Sequence, residues 1–140
     1  MSAAKAVAVA AVFVWLGMVL AISFLEAPLK FRAPGVTLQL GLGIGRLVFR
    51  ALNTAEVVLG ATVLVALFID APPMPAVVAI LVAVAALALQ VLAVRRWLNR
   101  RSDAILAGAQ APRSRGHYVY VGLEVVKALS LLATGAFLMI

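Results

Sequence analysis

Four long stretches of the chain are almost free of charged side chains. They are Ala6 to Leu25, Leu47 to Ile69, Ala76 to Val94 and Tyr118 to Ile140. A helix needs about 20 largely apolar residues to cross the hydrocarbon core of a bilayer, and each stretch has this length. The stretches are continuous rather than alternating, which disfavours a membrane β-barrel. The pattern therefore predicts an all-α fold: a polytopic membrane four-helix bundle, with residues 1–140 forming a single four-span domain.

Composition supports this assignment. Of the 140 residues, 66% are hydrophobic and 12% are charged, whereas soluble domains are nearer half apolar and a quarter charged. This composition excludes a soluble enzyme and a disordered chain. The chain contains no cysteine, which excludes a disulfide scaffold and thiolate chemistry.

The first stretch has one other interpretation. Ala21, Ile22 and Ser23 loosely imitate the cleavage site of a signal peptide. However, the apolar run is longer than the usual signal-peptide core, and only Lys5 precedes it. We therefore predict a retained membrane helix.

Positive charges lie almost entirely in two connections, those between helices 1 and 2 and between helices 3 and 4. These cations are Lys30, Arg32, Arg46, Arg95, Arg96, Arg100, Arg101, Arg113 and Arg115. The opposite side has Lys5 alone. The positive-inside rule places the two connections in the cytoplasm and both termini outside a bacterial inner membrane. Because topology explains the net charge of +7, we predict membrane lipids, and no nucleic acid, as partners.

Three segments at the basic side have their own expected structure. Pro28 predicts that the first helix ends near Glu26, because the residue before proline is pushed out of the helical region. Gly41 to Gly45 predicts a flexible entry into the membrane, with phosphate binding as the weaker alternative. Arg95 to Ala109 forms either an amphipathic helix that meets anionic headgroups or a plain basic loop.

The two helical hairpins are comparable at an offset of 71 residues, which places Gly45 to Glu56 over Gly116 to Lys127. The two segments have the same residue at three aligned positions, a glycine, a valine and a leucine. Polar residues of one segment also align with polar residues of the other. The sequence therefore raises the hypothesis of two parallel helical-hairpin repeats.

Polar side chains form one stripe on helix 4 and a matching stripe on helix 2. The candidate ligand or ion cluster is Asn53, Glu56, Gln90, His117, Tyr120, Glu124 and Lys127. Charged groups in lipid cost several kcal/mol, so they should face the bundle interior and pair. We predict that Glu56 and Lys127 approach each other, with the neighbouring polar groups hydrogen-bonded around them.

Two interpretations of this cluster stay open. It is either a site for an ion, a proton relay or a small polar ligand, or a buried ion-pair network that fixes helix register. One lysine cannot neutralise two carboxylates, which favours a functional site slightly. Arg46 and Glu26 are candidates for its cytoplasmic mouth, although Glu26 is better placed to pair locally with Lys30.

Catalytic, metal and cofactor sites have little support. No serine lies in the nucleophilic elbow of a hydrolase. The single histidine, His117, cannot supply both axial ligands of a haem within one chain. A mononuclear metal site would need Glu26, Glu56, Glu124 and His117. An interfacial enzyme acting on a lipid or quinone headgroup would use Tyr118, Tyr120 and His117. We predict no catalytic residue, no metal and no cofactor.

Three motifs lie between Trp15 and Glu56: Trp15-Leu16-Gly17-Met18, Phe24-Leu25-Glu26-Ala27-Pro28 and Gly45-Arg46-Leu47-Val48-Phe49. With these motifs, the segment resembles bacterial four-helix membrane proteins that share a domain of unknown function. The resemblance implies the four-span fold and no substrate. For function, the sequence predicts a small transporter or permease-like protein or, as the alternative, a non-catalytic accessory subunit. Homo-oligomerisation or membership of a larger membrane complex is expected, through the alanines of helix 3: Ala83, Ala85, Ala86 and Ala88.

Overall fold

The described part of the chain is a bundle of four helices. A computed structural model describes residues 1–108 and 115–140. The helices are α1 (Ala3–Lys30), α2 (Leu38–Ile69), α3 (Met74–Leu106) and α4 (Arg115–Met139). All four are long and apolar enough to cross a membrane. The predicted all-α, four-helix membrane bundle is confirmed.

The helices extend further than the apolar stretches, and α1 does not end before Pro28 as predicted. It passes through Pro28 because Leu20–Glu26 is wound as a π-helix. There the Ala27 N–H bonds to the carbonyl of Ile22, five residues back. The wider turn accommodates the proline, which lacks an N–H and crowds the preceding turn. A second π-helical segment, Gln90–Val94, lies within α3.

The glycine run belongs to helix α2, so the prediction of a flexible membrane entry there was wrong. Thr37 caps α2 by accepting a hydrogen bond from the Leu40 N–H. A Cβ at Gly41 would lie 2.2 Å from Cε1 of Phe31. The glycine thus lets the end of α1 lie directly against α2.

The basic segment after Val94 is also helical, from Arg95 to Leu106, so it is not a plain loop; its contact with headgroups stays a prediction. Asp103 on this segment pairs with Arg46 on α2 at 2.6 Å, and Gln39 donates to the carbonyl of Ile105 at 3.2 Å. The last residue of the predicted segment, Ala109, lies outside the described residues, as does Arg113. We call this end of the bundle, with Arg46 and Arg95–Leu106, the arginine-rich end.

At the opposite end, the Ser2 hydroxyl donates to the Asp70 carboxylate in the turn between α2 and α3. Between the two ends, α1 packs against α2 and α4, and α3 packs against α4, whereas α2 and α3 touch little. Trp15 is fully buried in the core beside Gly60.

The helix bounds bear on the proposed repeat. Ala3 and Met74, which begin α1 and α3, are 71 positions apart, since 74 − 3 = 71. The two π-helical segments also overlap at this offset. The packing is not two-fold, however, because α1 contacts α4 closely and α2 leaves a gap beside α3. The repeat therefore stays a prediction.

The alanines of α3 divide between the core and the surface. Ala83 and Ala86 are buried within the bundle, and Ala85 and Ala88 are exposed. Only two of the four alanines proposed for helix association are therefore available to another chain.

Candidate functional site

Lys127 lies at the centre of a buried polar network. Its Nζ is 2.5 Å from Oε2 of Glu56 and 2.5 Å from Oε1 of Glu124, and it donates to Oε1 of Gln90 at 2.7 Å. The side chain is 0% exposed. An ammonium has three N–H donors, so these three acceptors use all of them.

The Glu56 carboxylate accepts two further hydrogen bonds. The indole Nε1–H of Trp15 donates to Oε2 at 2.7 Å. The Asn53 amide, oriented by its neighbours, donates to Oε1 at 3.2 Å, and its oxygen accepts from Nη2 of Arg95 at 3.0 Å. Asn53 thus connects this carboxylate to a second cation.

The Glu124 carboxylate is bonded in a similar way. Its Oε1 accepts from Nε2 of Gln90 at 3.0 Å, besides the contact with Lys127. Its Oε2 accepts from the Ser23 hydroxyl. The Gln90 amide also reaches the backbone carbonyl of Tyr120 at 3.3 Å. Each carboxylate therefore accepts three hydrogen bonds from protein groups.

The set defined here as the Lys127 network connects all four helices. Its members are Trp15 and Ser23 on α1, Asn53 and Glu56 on α2, Gln90 on α3, and Glu124 and Lys127 on α4. Charges removed from water are costly unless they are paired and fully hydrogen-bonded. With Arg95 attached through Asn53, two cations accompany the two carboxylates, so the network and its neighbour are balanced in charge.

Both π-helical segments contribute to the network. Ser23 lies within the first segment, and Gln90 begins the second. A π-helical turn inserts an extra residue and rotates the side chains that follow it, and such turns are frequent at functional sites. The segments lie at the depth where α1 and α3 present their polar groups to Glu124.

Four predicted residues lie outside the network. The Tyr120 hydroxyl is buried without a hydrogen-bond partner among the described residues, and the ring packs edge-on against Phe49 at 5.8 Å. Tyr120 therefore meets the network only through its backbone carbonyl, which accepts from Gln90, and not through its side chain. The His117 ring packs edge-on against Tyr118, with centroids 5.6 Å apart.

The two residues predicted at the cytoplasmic mouth make local contacts. Glu26 pairs with Lys30 one turn on, at 3.9 Å. Arg46 pairs with Asp103, as described above. Of the two roles considered for Glu26, the structure shows the local pair.

Three residues were not among the predicted site residues: Trp15 and Ser23 in the network, and Arg95 beside it. Trp15 could have been found from its position, because it lies in the middle of the first stretch rather than at an interface, where a membrane tryptophan usually lies. Ser23 carries no such signal, because a single hydroxyl within a membrane helix commonly bonds its own backbone.

The predicted metal alternative does not fit the geometry. Within residues 1–108 and 115–140, no group of three histidine, aspartate or glutamate side chains lies close enough to hold a metal ion. Glu56 and Glu124 both face Nζ of Lys127, which lies where a cation between them would lie.

A cleft of about 630 Å³ opens between α2 and α3 beside the network. Three arginines line it: Arg46, Arg50 and Arg95. Asn53 lines the cleft as well and belongs to the Lys127 network, so the two sites share one side chain.

The chain matches no protein-family model, no curated protein and no solved structure in the comparisons made with each. The resemblance of Trp15 to Glu56 to bacterial four-helix membrane proteins therefore stays a prediction.

Proposed function

We propose that this protein is a non-catalytic accessory subunit of the bacterial inner membrane, in which the Lys127 network fixes the register of four membrane helices. The observation that carries the proposal is the saturation of Lys127: its three N–H donors all meet protein acceptors, and its side chain is 0% exposed.

A group that carries an ion or proton must exchange its partners during transport. Glu56 and Glu124 each hold three protein donors and are 0% and 2% exposed. Arg95 supplies the positive charge that balances the second carboxylate. Neither carboxylate therefore needs a cargo ion to balance its charge.

The same proposal includes orientation and assembly. We propose that the arginine-rich end lies in the cytoplasm and both termini lie outside, which the positive-inside rule supports through Lys30, Arg46 and the arginines of α3. Four helices form a small perimeter, so we expect a homo-oligomer or a place in a larger membrane complex.

A stability comparison tests the network's role. Lys127→Met alone leaves two buried carboxylates facing each other, and should lower the free energy of unfolding by about 3 to 5 kcal/mol. The triple variant Glu56→Gln, Glu124→Gln, Lys127→Met removes all three charges at similar volume and should recover most of that loss. Reversible unfolding in mixed micelles measures both.

An outcome in which the single and triple variants are equally stable would contradict a structural network. Lys5→Met is a matched control, because it removes a lysine outside the network and should leave stability unchanged within about 0.5 kcal/mol.

Flux measurements test the absence of transport. Proteoliposomes that contain the full chain and an internal pH-sensitive dye should show the same proton and potassium leak as protein-free vesicles. A leak or coupled flux that the wild type supports and Glu124→Gln abolishes would refute the accessory role.

Transport of a proton or small cation is the second candidate, favoured by one observation. Each π-helical segment supplies one hydrogen-bond donor to Glu124, Ser23 from the first and Gln90 from the second. Such turns are frequent at functional sites. Under this alternative, Ser23→Ala should change the rate of flux while leaving the amount of folded protein unchanged.

A further inference from the structure

The lengths of α2 and α3 indicate that the cleft between them lies near one boundary of the hydrocarbon core. About 20 helical residues span the core at ~1.5 Å per residue. Counting about that many residues from Ile69 at the opposite end of α2 reaches Arg50. Counting similarly along α3 from Pro75 reaches Arg95. The two arginines thus lie at matching depths on facing helices, and both line the cleft.

The charged side chains of the cleft lie at Arg50 and Arg95 or farther out, and none lies deeper in the bundle. Arg46 and Asn99 line the outer part together with Leu47 and Leu106, and the deepest lining residues on the two helices are Val57 and Val91. A surface that is cationic at headgroup depth and aliphatic below it is complementary to a phospholipid rather than to a soluble anion.

The charges of the cleft favour an anion. Arg46 is already paired with Asp103. Arg50 is exposed and has no side-chain partner among the described residues. Arg95 donates to Asn53 and lies 5.4 Å from the ring centroids of Phe49 and Tyr120, which hold its guanidinium in place. Two guanidinium groups, one free and one positioned, are suited to the oxygens of a phosphate.

We propose that this cleft binds one anionic phospholipid per chain, with its phosphate between Arg50 and Arg95 and an acyl chain along Val57 and Val91. The proposal goes beyond the accessory role and does not depend on it, because the cleft would bind a lipid whether or not the Lys127 network carries an ion. A soluble phosphate compound shares the headgroup chemistry and is separated from the lipid by the test.

Native mass spectrometry of the full chain tests the proposal. The protein is released from micelles that contain equal amounts of phosphatidylglycerol and phosphatidylcholine with identical acyl chains. The wild type should retain one phosphatidylglycerol at least tenfold in excess of phosphatidylcholine, and Arg50→Gln should reduce this preference about tenfold, since one charge-assisted contact is lost. Arg50 is exposed, so we expect this variant to fold.

Arg100→Gln is the matched control, because it removes an exposed arginine of α3 that does not line the cleft. It should retain phosphatidylglycerol as the wild type does. Equal losses in Arg50→Gln and Arg100→Gln would overturn the site, since they would show a general attraction to positive charge. Equal retention of the two lipids by the wild type would overturn it as well.

Glycerol 3-phosphate distinguishes the two sources of phosphate. Added at millimolar concentration, it should leave the bound phosphatidylglycerol in place. If it displaces the lipid and binds the wild type in its stead, the occupant is a soluble phosphate compound and the lipid proposal is wrong.

Discussion

Trp15 shows how one residue serves both the core and the buried charges. Its ring is 0% exposed among apolar side chains of α1 and α2, and its indole N–H is one of the three donors to Glu56. A tryptophan supplies a large apolar body with a single donor at its edge. At this depth it can support a carboxylate without adding another charge.

We expect Trp15→Phe to destabilise the protein by about 1 to 3 kcal/mol, because Glu56 loses a donor and the smaller ring leaves a gap. Trp97→Phe is the matched control, since Trp97 is 46% exposed, and should change stability by less than about 0.5 kcal/mol. Thermal unfolding in the same micelles measures both variants. Equal effects of the two substitutions would show that the indole hydrogen bond contributes nothing.

At this scale the sequence predicted Glu56, Glu124 and Lys127 and the amides Asn53 and Gln90 beside them, and it did not predict Trp15 and Ser23. Depth along each helix placed Glu56 and Lys127 at one level, with Glu124 about one turn nearer the cytoplasmic end, and the cost of charge in lipid required them to pair. Trp15 and Ser23 are compatible with lipid on their own, so no such requirement identified them. Tyr120 shared the stripe of Glu124, but helix periodicity gives the direction of a side chain and not the position of its hydroxyl.

At the scale of elements, the contact between α1 and α2 depends on small residues. A Cβ at Gly41 would lie 2.2 Å from Cε1 of Phe31, whereas nothing lies within 4 Å of one at Gly43. These two glycines therefore have different roles although they stand two positions apart in the same helix.

We predict that alanine changes the free energy of unfolding differently at these two positions. Gly43→Ala should stabilise α2 by about 0.5 to 1 kcal/mol through helix propensity. Gly41→Ala should be less stable than Gly43→Ala, because the ring of Phe31 must move. In a Phe31→Ala background this difference should vanish, and urea unfolding of the four variants gives the coupling free energy. A difference that persists without the ring would contradict the contact.

The ion pair between Arg46 and Asp103 joins α2 to the basic extension of α3. The side chain of Asp103 is 63% exposed, and pairs of this kind contribute little. We predict a coupling free energy below about 1 kcal/mol in a double-mutant cycle of Arg46→Ala and Asp103→Ala. A coupling of several kcal/mol would instead show that this pair is a main determinant of the arrangement of the two helices.

The sequence was sufficient to predict that four helices exist, and insufficient to predict the residues at which they begin and end. The apolar stretches located four helices because lipid demands continuous hydrophobicity. The end predicted for α1 at Pro28 was wrong because a π-helical turn can accommodate a proline. No residue pattern in Leu20–Glu26 marks that turn. The flexible segment predicted at Gly41 to Gly45 was wrong because glycine, although it weakens an isolated helix, also permits close packing of two helices.

For the whole molecule, the distribution of charge predicts how the bundle lies in its membrane. Because the chain contains no cysteine, single cysteines can report each side without background. Ala71→Cys, in the exposed turn between α2 and α3, should react with an impermeant maleimide added to spheroplasts. Arg100→Cys should react only in inverted membrane vesicles. The reverse pattern would contradict the positive-inside assignment.

The Lys127 network also has a consequence for biogenesis. Glu124 and Lys127 are one turn apart on α4, so this helix can enter the bilayer with its two charges already paired. The remaining partners of Lys127, Glu56 and Gln90, belong to helices that are synthesised earlier. Until α4 arrives, Glu56 and Gln90 lack their cationic partner, so the polar groups of α2 and α3 are fully bonded only when the last helix is in place. The same contacts that hold the mature bundle together thus mark the moment at which its insertion is complete.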